Sequence, residues 1–144
     1  MDLEKKLQDV FNNNLLAYFT FHSCHINVVG RNFISDHKLL GKLYEDSQAQ
    51  TDLLGEFIRT VGAFVPSTLS SVINNSDIDE IDTANFSADE MLETVLEITE
   101  SLLRDYEELF DLATEENKQD IANYSADRIA AHSKFIWMIK STLE

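Results

Sequence analysis

Helix breakers are nearly absent from this chain: four glycines and one proline, Pro66, punctuate 144 residues. Glycine and proline end helices and build tight turns, so their scarcity predicts long helices and leaves little room for a turn-rich β architecture. Hydrophobic residues make up 44% of the chain and aromatics 10%, enough to bury a real core and too much for disorder. The expected class is all-α, with residues 1–144 as a single domain and no internal repeat or low-complexity tract.

Apolar or inward-capable residues recur in steps of three or four at Leu3, Leu7, Phe11, Leu15, Tyr18, His22, His25 and Val29. This predicts a first helix from about residue 2 to about 29 with that set on one face. Gly30-Arg31-Asn32 interrupts the pattern, and a second stripe at Phe33, Leu40, Tyr44, Leu54 and Ile58 predicts a helix ending near Gly62. Pro66-Ser67-Thr68 can open a short helix through about Ile73, followed by irregular chain. Ser87 and Glu90 form a capping box ahead of Met91, Val95, Ile98, Leu102, Tyr106 and Leu109, a third long helix reaching about Ala113. A fourth carries Ile121, Arg128, Phe135, Ile139 and Leu143 near one face. Long helices with tight first and last connections and a long crossover between the second and third describe a four-helix bundle of the ferritin-like kind, with a short extra helix in the crossover.

No apolar run reaches the roughly 18 residues of a membrane span, and Met1 leads into Asp2-Leu3-Glu4-Lys5-Lys6 without a signal-peptide pattern, so a cytoplasmic location is expected. The lone Cys24 can form neither an internal disulfide nor a cysteine metal site, and it is read as a small buried hydrophobe. A net charge of -15, with Lys5-Lys6 as the sole basic pair, repels nucleic acid over most of the surface. Such an acidic shell attracts cations, although an acidic face kept for solubility explains the same composition.

Two adjacent helices whose turn centres near residue 31 pair positions that sum to about 62, so His25 faces His37. A core-facing histidine is ordinarily a packed, hydrogen-bonded residue, and the pair alone says little. On the second helix His37, Gly41, Glu45, Gln48, Asp52 and Glu56 form one polar stripe, whose plain reading is a solvated face. Asp52 and Glu56, one turn apart, can converge on a cation, but His37 lies roughly 22 Å away along the same helix. Two chains can do what one cannot. Packed antiparallel about a two-fold axis near residue 45, they bring His25 and His37 of one copy to Asp52 and Glu56 of the other, twice per dimer. Gly41 would allow close approach or leave space for water there. Imidazoles with carboxylates suit Fe(II), and equally Zn(II), Mn(II) or Co(II). His22, at i, i+3 from His25, is expected to pack or hydrogen-bond, His132 to lie at the surface or an interface, and Tyr44 to pack at the dimer interface.

The run His25-Ile-Asn-Val-Val-Gly30-Arg-Asn-Phe33-Ile-Ser-Asp-His37, the later Asp52, Glu56 and Arg59, and the ending Lys134-Phe-Ile-Trp137-Met-Ile resemble the Dps mini-ferritins over essentially the whole chain. The resemblance implies a hollow, twelve-subunit shell of four-helix bundles. It also implies a ferroxidase activity in which His25, His37, Asp52 and Glu56 hold Fe(II) between two-fold related subunits, hydrogen peroxide takes the electrons, and Fe(III) is stored inside. Some members instead bind DNA through a mobile Lys-rich tail. This chain starts close to helix one and has almost no such tail, so DNA binding is the alternative rather than the main expectation. Three positions depart from the family. Gly41 stands where members often carry an acid, Ile26 where a Trp commonly follows the first histidine, and Asn123 where many have an Asp lining the iron-entry pore, which Asp120 one turn earlier can keep acidic.

Overall fold

The chain is cut into helices at the few places where its sequence stops supporting one. The computed structural model describes residues 2–144 and contains α1 (Asp2–Asn27), α2 (Phe33–Thr60), α3 (Leu69–Asn74), α4 (Ala88–Glu115) and α5 (Gln119–Leu143), with no strand among the described residues. Gly30 at φ 133° and Gly62 at φ 94° follow α1 and α2 in a backbone region that side chains resist. Thr68 accepts from the Ser71 N–H to start α3. Ser87 and Glu90 close the reciprocal capping box that starts α4, as their spacing predicts.

The architecture is the expected one: α1 and α2 form one antiparallel hairpin, α4 and α5 another, and α3 lies in the long crossover between them. Along α4 the anticipated stripe from Met91 to Leu109 is buried in full. On α1 the stripe holds only at its start. The core line runs through Leu3, Leu7, Val10, Ala17, Phe21, Cys24 and Val28, while Leu15, Tyr18, His22 and His25 lie on the neighbouring, half-buried face and Val29 is exposed. On α2 Phe33 is likewise exposed and Tyr44 half-buried, with Leu43, Ser47 and Gln50 turned inward. A helix turns 3.6 residues at a time, so a ladder of threes and fours can drift either way around it. That drift carries the two histidines off the core and onto a face that can be reached from outside.

Polar groups link the helices within and between the hairpins. Asn13 donates to Asp105 at 2.9 Å and accepts from the Ser76 hydroxyl and the Asp77 N–H, and Asn14 donates to the Ser47 carbonyl at 2.8 Å. Arg128 of α5 donates to both carboxylate oxygens of Asp46 on α2 and to Nε2 of His132. His132 is therefore not at the surface: only 4% of it is exposed, because the i, i+4 spacing from Arg128 turns it into the bundle. Burial, and then the Arg128 charge beside it, push its pKa down to about 3. The native ring stays neutral while an unfolded chain would protonate near 6.5. Stability from this group is thus complete above pH 6.5 and is lost as pH falls toward 3, at up to about 1.4 kcal/mol per pH unit. Urea titrations between pH 7 and pH 4 will show a steeper loss for the native chain than for His132→Leu, and parallel curves would place the ring in solvent.

Candidate metal centre

His25 sits in the last turn of α1 and His37 in the second turn of α2, so the hairpin brings them face to face. Their rings stack at 3.8 Å between centroids with 18° between planes. Each Nδ1 lies 2.7 Å from the backbone carbonyl oxygen of the other histidine. A carbonyl only accepts, so each Nδ1 carries a proton, which leaves Nε2 as the ring atom whose lone pair can ligate a metal. Such a hydrogen bond from one ring nitrogen to a carbonyl is how metal-binding histidines are ordinarily oriented.

Aromatic rings surround the pair. Phe33 stacks on His37 at 5.0 Å, and the ring of Tyr44 lies 5.0 Å from that of His25. His22 stacks flat on Tyr44 at 3.9 Å and shares a 2.8 Å hydrogen bond with the Tyr18 hydroxyl, the packing role its position implied. That Tyr18, His22 and Tyr44 form a single cluster was missed in the sequence. The i, i+4 spacing of Tyr18 and His22 was the available signal, whereas Tyr44 comes from the other helix.

Asp52 and Glu56 lie exposed on α2 and line a groove of about 560 Å³ together with Gln48, Thr51 and Arg59. Phe11, Leu15, Tyr18, Gly55 and Val65 form the apolar part of that groove. No three His, Cys, Asp or Glu side chains converge on one point among the described residues of a single chain. The structure thus joins His25 to His37 and places Asp52 beside Glu56, as two separate halves. Glu45 is exposed on the same helix. Asp120 and Asn123, the candidate pore residues, are exposed near the start of α5. Cys24 is fully buried against the Thr83 hydroxyl, and burial pushes its thiol pKa up, which makes it inert.

Comparison with known proteins extends these observations. Residues 4–144 match the ferritin-like domain family. The chain is 28% identical over 129 residues to the DNA protection during starvation protein of Helicobacter pylori, covering 90% of each. It is also 28% identical over 132 residues to the protein of that name from Brevibacillus brevis, covering 92% of this chain and 88% of the relative. Among solved structures, CAIP from Helicobacter cinaedi superimposes with a TM-score of 0.93 at 27% identity over 99% of both chains. Dps from Staphylococcus aureus does so with a TM-score of 0.93 at 26% identity over 99% of this chain and 95% of the other. With the family match running from residue 4 to the last residue and the same bundle in these relatives, the chain belongs to the ferritin-like family and, within it, to the Dps mini-ferritins.

Proposed function

We propose that this protein takes up Fe(II) at sites shared between two copies of the chain, oxidises it with hydrogen peroxide as electron acceptor, and holds the Fe(III) product within a hollow shell, limiting oxidative damage. The observation that carries this reading is the interlocked histidine pair, which offers two Nε2 lone pairs on a half-buried face. Asp52 and Glu56 of a second copy, packed antiparallel about an axis near residue 45, would supply the carboxylates. The histidines and Glu56 would hold Fe(II), and Asp52 would help to hold or bridge it. The same donors accept Zn(II) or Mn(II), so these are expected competitors. Each Fe(II) gives up one electron and peroxide takes two, with two protons, to leave two waters. Coupling two Fe(II) to one peroxide is what keeps hydroxyl radical from being released.

Assembly has support of its own. Phe19, Phe64, Leu69 and Trp137 are 64–75% exposed in one chain, apolar surface that contact with further copies would bury. A twelve-subunit shell built from two-fold pairs would cover it. No helix among the described residues is long and apolar enough to cross a membrane.

A second reading, a shell that binds and covers DNA, is favoured by a separate observation. The Helicobacter pylori and Brevibacillus brevis relatives are named DNA protection during starvation proteins, a name that speaks for the protection of DNA more directly than for iron oxidation. Coverage requires Lys and Arg at the phosphates. This chain has 11 against 26 Asp and Glu, and its basic pair is occupied, Lys5 by Asp9 and Lys6 by Asp105 and Glu108. Protection achieved by consuming Fe(II) and peroxide together at the protein's own sites needs no such contacts and agrees with the relatives' name.

His37→Ala combined with Asp52→Ala should slow peroxide-dependent Fe(II) oxidation by about tenfold or more, read from the rise of Fe(III) absorbance in stopped flow. An unchanged rate would mean that the site lies elsewhere. In a gel-shift assay at low salt, the protein should leave duplex DNA unretarded without a divalent cation. Tight binding under those conditions would make DNA coverage the function.

A further inference from the structure

Gly41 occupies the interior of α2, where a glycine weakens a helix relative to alanine. Something must favour it there. A Cβ built on Gly41 would lie 3.1 Å from both Cε1 and Nδ1 of His25, and no other atom from outside the local helix backbone comes within 4 Å of it. The obstructed Nδ1 is the atom that donates to the His37 carbonyl at 2.7 Å. That carbonyl is the one whose helical partner is the N–H of residue 41, so the bare Cα at 41 opens the side from which the imidazole reaches it. The ring is held against yielding, since it is stacked on His37 at 3.8 Å and its Nδ1 is bound to the His37 carbonyl.

We propose that Gly41 is the positioning residue for His25: in this chain its missing side chain is the seat in which the imidazole lies as the two histidines interlock. This rests on the histidine site proposed above, and it gives the departure at this position a role. The space is filled by the ring of His25 rather than left for water, so the chain forgoes an acidic side chain at 41 and keeps a tightly oriented histidine.

The test is a double-mutant cycle on the assembled protein with two readouts, Tm and Co(II) affinity by calorimetry. In the native background Gly41→Ala should lower Tm and weaken Co(II) binding by about tenfold or more, the cost typical of disturbing the group that orients a metal ligand. In a His25→Ala background the same substitution should raise Tm, because alanine then meets nothing and forms helix better. A loss of Tm of equal size in both backgrounds would overturn the proposal, showing that Gly41 serves another contact. Native Tm and native Co(II) affinity in Gly41→Ala would overturn it as well. If the native protein binds no Co(II) at its histidines, the site reading fails, while the sign reversal in Tm still decides the role of Gly41.

Discussion

Two hydrogen bonds, each running from one imidazole to the other histidine's carbonyl, tie the end of α1 to the start of α2. The His25 carbonyl lies in the last turn of its helix, where it has no helical partner, and the Nδ1 of His37 satisfies it. One contact thus closes the hairpin, sets the tautomer of both rings and leaves both Nε2 atoms for a ligand. The surroundings are arranged to permit it. Gly30 turns the chain at positive φ, buried Val28 anchors the turn from below, and Gly41 clears the approach to the His37 carbonyl.

The rest of the bundle explains why metal-capable groups lie on the outside. In many four-helix bundles a cation could be housed between the helices, but here Arg128 holds that interior, donating to Asp46 and to a neutral His132 while its guanidinium faces the Tyr106 ring. Both Asp46 carboxylate oxygens and the His132 Nε2 thus already receive Arg128 protons and are not free to hold a cation. The surface of α2 is the opposite, with Asp52 and Glu56 exposed along a groove. The carboxylates and imidazole nitrogens left free to ligate therefore lie on the outside of the bundle.

Much of this was legible in the sequence, for reasons that can be named. Helix existence followed from the lack of breakers, the α4 start from the Ser87 and Glu90 box, and the facing of His25 and His37 from hairpin arithmetic. Facing within α1 was harder to read, because its inner line passes through the polar Asn13 and Asn14, which are buried only because partners from α2, α4 and the crossover satisfy them. His132 was misplaced although Arg128, one turn before it, had been set on the same face as Ile121 and Ile139: the partner that holds Arg128 inside, Asp46, comes from another helix. Gly41 was visible as an oddity, but its reason is a ring from another helix, and periodicity carries no such information. Each miss is a tertiary partner overriding a local pattern.

The central claim is that His25 and His37 of one chain share a metal with Asp52 and Glu56 of another. Anomalous scattering at the iron edge, from crystals soaked in Fe(II) without oxidant, addresses it directly. The account predicts a peak at the Nε2 atoms of His25 and His37 with carboxylate density from a second copy beside it, repeated by the two-fold axis. A peak inside a single four-helix bundle, or none near the histidine pair at full soaking, would contradict it.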